Sequence, residues 1–260
     1  MSAPVSKTAK SGSDGGLWEN IKVIVQAVLI AVVIRTFLFQ PFNIPSSSLV
    51  PTLLVGDYLF VSKYSYGYSR YSLPFGLPLF SGRIWSAEPQ RGDVAVFKLP
   101  RDNSTDYIKR VIGLPGDKIQ MIDGHLNING EPVKKVKLGK HEVNAGAGYS
   151  DEATYYRETL PNGVSYTTQE LEKFGNKLGR NTDVYVVPPN HYFMMGDNRD
   201  NSLDSRDMGP NGVGYVPFDN FEGRAELIFF SVSEDSSAWK IWEWPWSVRW
   251  SRLLSRIPSL

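Results

Sequence analysis

From Ile21 to Phe39 the chain reads IKVIVQAVLIAVVIRTFLF, an apolar run about long enough, as a helix, to cross a hydrocarbon core of roughly 30 Å. No other stretch limits the fold as strongly, because a span obliges everything after it to fold on one side of a bilayer. Three other readings compete. A cleaved secretory leader needs a shorter apolar region followed by a small-x-small site, and FLFQPFNIP offers none. A buried core helix draws some support from Gln26 and Arg35, since polar groups in lipid are costly, but Arg35 stands near the C-terminal end and can snorkel. A helix lying on the membrane surface carries an apolar stripe, whereas here apolar residues surround the axis. A single transmembrane helix over residues 21–39 is therefore expected. Lys7, Lys10 and Lys22 precede its centre and favour a cytoplasmic N-terminus. Residues 1–20 open with Ser, Gly, Ala and Lys without apolar periodicity and are expected as a flexible tail.

Beyond the span helical periodicity disappears. Short β-type runs alternate with Gly, Pro, Asn and Asp: Tyr58-Leu59-Phe60-Val61, Val94-Ala95-Val96-Phe97, Tyr107 to Ile112, Val184-Tyr185-Val186-Val187 and Ala225 to Phe230. The expected fold class is mainly β, a transmembrane helix followed by an antiparallel β-sheet domain over residues 40–236. Asp123-Gly124 and Asn129-Gly130 are hairpin turn signals. A polar, glycine-bearing stretch from about 137 to 183 reads as an excursion from the core sheet, and about 120–190 as a second β-rich subdomain. Residues 237–260 hold five of the seven tryptophans, Trp239, Trp242, Trp244, Trp246 and Trp250, followed by Arg252 and Arg256. That composition suits the headgroup level of a membrane, and equally suits rings capping the β core or a partner surface.

Charge and cysteine content narrow the function. The formal net charge is +1 and no long Lys/Arg run occurs, so nucleic acid is not an expected partner. With no cysteine the chain has neither disulfides nor thiolate chemistry. Neither a phosphate-binding Gly-x-x-x-x-Gly-Lys loop nor a His-Glu-x-x-His motif is present, so no cofactor and no metal is expected.

Three segments carry candidate chemistry. Phe42 to Leu53 reads FNIPSSSLVPTL, and serines between prolines are by themselves an ordinary loop signal. Asp106 to Asp117 reads DYIKRVIGLPGD; if it is a strand, Lys109 shares a face with Tyr107 and Val111, opposite Ile108 and Arg110. An ammonium on an apolar face tends to lose its proton, although a lysine snorkelling from an edge strand is the commoner case. Met194 to Arg206 reads MMGDNRDNSLDSR, a loop dense in hydrogen-bonding groups, whose spacing does not match a calcium-binding EF-hand. His125, His141 and His191 raise a Ser-His-Asp alternative, with His191 six residues before Asp197, but no Gly-x-Ser-x-Gly elbow accompanies them.

In this order after an N-terminal span, these segments, with GDYLFVSKYSYG and RGDVAVFKLP between the first two, resemble the boxes of bacterial type I signal peptidases over roughly residues 35–120 and 185–230. The resemblance implies a membrane-bound serine endopeptidase that removes signal peptides from exported preproteins, cutting after small-x-small sites. It implies Ser48 as nucleophile and Lys109 as general base, with Ser46 and the Ser48 backbone N–H forming the oxyanion hole. It further implies Ser202 orienting the lysine, and ion pairs of Asp204 and Arg206, with Arg110 nearby, holding the loop. Phe42, Ile44, Leu49, Leu53, Val96, Tyr107 and Ile108 are the implied wall of the substrate pocket. The implied location is the bacterial inner (plasma) membrane, single-pass, with the catalytic domain outside the cytoplasm and lipid as a partner. Leu49 departs from the usual Met and Ser47 from a frequent Gly; Leu for Met roughly conserves volume, so an altered pocket and retained activity are expected. A peptidase dedicated to pilus or conjugation proteins, or a membrane-tethered β-domain with a binding role, are the competing expectations.

Overall fold

The computed structural model describes residues 14–73, 80–146, 149–173, 175 and 177–258. Helix α1 runs Asp14–Phe37, so the tail expected over 1–20 is helical from residue 14, and residues 1–13 lie outside the described residues. Its Trp18–Phe37 portion has a mean hydropathy of 1.8 and keeps Val23, Ile24, Leu29, Ile30 and Val33 exposed, which sets the core-helix alternative aside. A helix with exposed apolar residues all round is what lipid contact requires, and α1 is the membrane anchor.

The strands that follow are β1 Phe39–Asn43, β2 Asp57–Ser62, β3 Val94–Lys98, β4 Asp106–Gly113, β5 Lys118–Ile122, β6 His125–Ile128 and β7 Glu131–Pro132. After them come β8 Lys134–Gly146, β9 Tyr149–Thr159, β10 Ser165–Leu171, β11 Tyr185–Val186, β12 His191–Met195, β13 Val216–Pro217, β14 Phe221–Ser231 and β15 Ser255–Arg256. The main sheet has the order β1-β2-β14-β3-β4-β12-β13, with β15 paired to β14. A second sheet runs β10-β9-β8 and a third β11-β5-β6-β7, and the strand ladders are antiparallel as expected. The stretch read as a polar excursion thus folds largely as β8, β9 and β10.

Local chemistry explains the turns. Asp123-Gly124 and Asn129-Gly130 join β5 to β6 and β6 to β7, and all four residues take positive φ, the geometry that matches strand twist in a tight hairpin. Three apolar clusters lie between the layers. Ile112, Ile119, Leu126 and Phe193 join the third sheet to the main one; Ile44, Leu49, Leu53, Leu59, Val96 and Ile228 form the second; Tyr66, Phe97, Val111, Tyr192 and Phe221 form the third. Burying each such side chain stabilises the fold by about 1.5–3 kcal/mol.

The tryptophan-rich end does two things. Its backbone returns to the domain: Ile257 joins the second cluster, Trp244 packs 5.1 Å from Phe230, and Arg252 pairs with Asp57 at 2.5 Å. Trp239, Trp242, Trp246 and Trp250 meanwhile stand exposed.

Candidate active site

Strand β4 places the lysine. It pairs with β3 from Asp106 to Arg110, with Lys109 opposite Ala95, while β12 pairs with it only from Arg110 to Gly113. Past Met195 the chain leaves the sheet, so the edge of β4 from Asp106 to Lys109 has no strand partner on that side among the described residues. Alternation holds as read. Val96 and Ile108 belong to the second cluster, whereas Tyr107 and Val111 share the opposite face with Phe97, and the Lys109 ammonium lies 5.3 Å from the Tyr107 ring centre.

The serine segment is held by backbone contacts at both ends. Ile44 donates to Asp57 O and accepts from the Gly56 N–H, Val50 N–H reaches Ser47 O, and Leu53 N–H reaches Leu49 O. From above, the 196–206 loop grips the same segment: Asn198 N–H donates to Ser48 O at 3.0 Å, its side-chain amide to Ser47 O at 3.2 Å, and Asn201 to Ser47 Oγ at 2.9 Å. Gly196 sits at this contact. A Cβ there would meet Ser202 Oγ at 2.2 Å and Ser48 O at 2.5 Å, closer than any packing allows.

These restraints bring Lys109 Nζ to 2.6 Å from Ser48 Oγ, with Nζ also donating to Ile108 O at 3.1 Å. Ser48 is 7% and Lys109 4% exposed, so both side chains are shielded from bulk water. Burial pushes the lysine down to about 8, against the opposing pull of the Asp204 and Asp197 charges. The downward shift raises the share of neutral amine, the form able to accept a proton from a neighbouring hydroxyl. Ser46 Oγ is exposed and 3.5 Å from Ser48 Oγ.

Ion pairs brace the 196–206 loop. Asp204 and Arg206 do pair, at 2.8 and 2.9 Å, and Asp204 also accepts the Gly196 N–H. Burial works to raise the Asp204 carboxyl, but Arg206 and these hydrogen bonds hold it below its ordinary value. Arg110, however, turns to Asp197, bidentate at 2.9 and 2.7 Å, and donates to Gly92 O and Pro258 O. Ser202 Oγ is buried near Asp204 and Gly196 and makes no hydrogen bond to Lys109. Of the implied pocket wall, Phe42, Ile44, Leu49, Leu53, Val96 and Ile108 meet in the second cluster, and Tyr107 does not. His191 bonds Pro189 O, and Asp197 serves Arg110 and Thr52, so no histidine–aspartate relay reaches Ser48.

Two contacts were not visible in the motifs. Arg199 makes a buried, bidentate pair with Glu158 of β9, at 2.8 and 2.5 Å. Asp200 is held by Lys177 and Arg180 at 2.7 and 2.8 Å and accepts the Leu171 N–H at 2.9 Å. The excursion therefore grips the loop that grips Ser48. The charge density of GDNRDNSLDSR was a signal that such partners exist, without saying where.

A shielded amine bonded to a serine hydroxyl, on a β scaffold behind a membrane helix, defines a membrane-anchored serine hydrolase. A family model described as signal peptidase, peptidase S26, matches residues 17–230. The signal peptidase I of Rickettsia conorii is 44% identical over 233 residues, covering 87% of this chain and 82% of that protein. That of Rickettsia typhi is 46% identical over 211 residues, covering 79% and 77%. A crystal structure of a signal peptidase I from Enterococcus faecalis aligns at 27% identity with a TM-score of 0.30, covering 53% of this chain and 97% of that one. The chain belongs to the signal peptidase family, peptidase S26, and is a serine endopeptidase.

Proposed function

We propose that this enzyme removes signal peptides from exported preproteins after small-x-small sites, with Ser48 as nucleophile and Lys109 as general base, on the outer face of a bacterial plasma membrane. The 2.6 Å contact between Lys109 Nζ and Ser48 Oγ in a shielded setting carries this reading. Neutral Lys109 takes the Ser48 proton as Oγ attacks the scissile carbonyl carbon. The Ser48 N–H and the Ser46 hydroxyl donate to the resulting oxyanion, contacts worth a few kcal/mol each. Protonated Lys109 then gives its proton to the leaving amine, leaving an acyl-enzyme. Water, deprotonated by the same amine, attacks the ester and frees Ser48.

The unpaired edge of β4 from Asp106 to Lys109 lies beside the dyad, and a substrate added there as a strand would present alternate side chains to the Ile44, Leu49, Val96 and Ile108 wall. Small residues two apart would then point the same way. Ser202 serves by packing under Gly196 and beside Asp204. The exposed tryptophans lie at the lipid headgroups, and Lys22 at the inner end of α1 with the outer domain beyond it suits a cytoplasmic N-terminus.

The test is cleavage of a preprotein bearing an Ala-x-Ala site, by the full chain in lipid, across pH 6 to 10. Both Ser48→Ala and Lys109→Ala should lose cleavage. The wild-type rate should climb as pH rises through about 8, where Lys109 gives up its proton, and level off above. Cleavage surviving in either variant overturns the dyad.

A further inference from the structure

Between the end of α1 and the β3–β4 hairpin lies a cavity of about 870 Å³ that the reaction does not use. Its lining includes four cations, Arg35, Lys63, Arg70 and Lys98, against two carboxylates, Asp106 and Glu222, an excess of two positive charges. Both carboxylates are already taken by Lys98. Among the described residues Arg35, Lys63 and Arg70 have no ion-pair partner, and the undescribed residues 74–79 that follow Arg70 in the chain carry no carboxylate.

Lys63 is the unusual member. It is 3% exposed, donates to Ser72 O at 2.7 Å, and has no further acceptor among the described residues. A buried ammonium with unspent donors is costly unless an anion meets it. Burial pushes Lys63 down to about 8, with Glu222 opposing and Arg35 adding to the effect, which places these groups within each other's fields. Thr36, on the wall formed by α1, adds a buried hydroxyl without a partner.

We infer that this cavity holds the phosphate-bearing headgroup of an anionic membrane phospholipid. Three observations select that ligand. The cavity opens where the apolar Trp18–Phe37 segment ends, the depth at which headgroups lie. One wall is the helix itself, Val32 and Thr36 one turn apart, so an acyl chain running along α1 arrives with its headgroup at the cations. The volume far exceeds a bare phosphate and falls in the range of small-molecule sites. The bound lipid would fasten the domain to the bilayer at the base of α1, on the side of the sheet marked by Lys98 and Glu222.

The experiment uses the full chain in nanodiscs of phosphatidylcholine with a minor fraction of labelled phosphatidylglycerol, and measures lipid retained by the protein through native mass spectrometry. Phosphatidylglycerol should be retained in excess of its bulk share. Arg35→Gln with Arg70→Gln, both exposed positions, should lower that excess on the order of 30-fold, about fivefold per cation at a lipid surface. Arg35→Lys with Arg70→Lys should restore it, and Lys137→Gln, an exposed cation elsewhere, should leave it unchanged. Unaltered cleavage of a soluble peptide in detergent reports that the variants fold. Equal retention of the two lipids, or the same excess in the Gln variants, overturns the inference. So does displacement of the lipid by inorganic phosphate, which would make the site one for a soluble anion.

Discussion

Asp197→Asn isolates what the buried pair beneath the dyad contributes. Arg110 is fully buried and Asp197 1% exposed, and among the described residues Asp197 is the one carboxylate paired with Arg110, whose other acceptors are Gly92 O, Pro258 O and, at 3.4 Å, Thr52 Oγ1, with the Tyr166 ring centre 4.1 Å from the guanidinium. Removing one partner of such a pair typically costs about 3–5 kcal/mol, because the remaining charge stays buried. The two carbonyl acceptors remain, so the low end, about 3 kcal/mol, applies; at about 2–4 °C per kcal/mol in a domain of this size, Tm falls by ~6–12 °C. Tryptophan fluorescence of the full chain in detergent during heating reads this directly. The same change removes a negative charge that holds Lys109 up, so the rising limb of the cleavage profile should move to lower pH. Replacing both partners, Arg110→Met with Asp197→Leu, should recover most of the lost stability, since no unpaired charge is left behind. A loss below about 1 kcal/mol in Asp197→Asn, or a double variant no better than the single one, would refute the argument that uncompensated burial sets the cost.

Gly196→Ala should abolish cleavage while the β core stays folded by circular dichroism, because the added methyl collides with Ser48 O and Ser202 and pushes the nucleophile off Lys109; cleavage within a few-fold of wild type would show that the loop yields. Trp242→Ser with Trp246→Ser should weaken binding of the detergent-free domain, residues 39–260 released from α1, to lipid vesicles in sedimentation, and leave cleavage of a short soluble peptide intact; unchanged sedimentation would place those rings at another surface.

The sequence carried the local parts of this architecture and missed the remote ones. The apolar span, the Asp-Gly and Asn-Gly turns, and the alternation that sets Lys109 apart from Ile108 and Arg110 are all properties of neighbouring residues, and they read directly. Arg110 and Asp197 are 87 positions apart, and Arg199 and Glu158 are 41 apart, so nothing in either local run says which carboxylate meets which guanidinium. The excursion read as polar because β8 to β10 bury acidic groups such as Glu158, whose partner Arg199 comes from outside the segment.

The 196–206 loop is gripped on two faces by different parts of the chain. The Asp197 carboxylate goes to Arg110 and the Asn198 N–H to Ser48 O on the core side, while the Asp197 carbonyl accepts the Gln169 N–H of β10 and the Arg199 and Asp200 side chains pair with Glu158, Lys177 and Arg180 of the excursion. Neighbouring groups of the loop, and within Asp197 the side chain and the carbonyl, are thus anchored to both parts of the chain, as a seam joins two panels. A loop sewn in this way depends for its position on the excursion as well as on the core sheet. The foot of the excursion, through Glu158, Lys177 and Arg180, is thereby tied to the loop that holds the Ser48 segment.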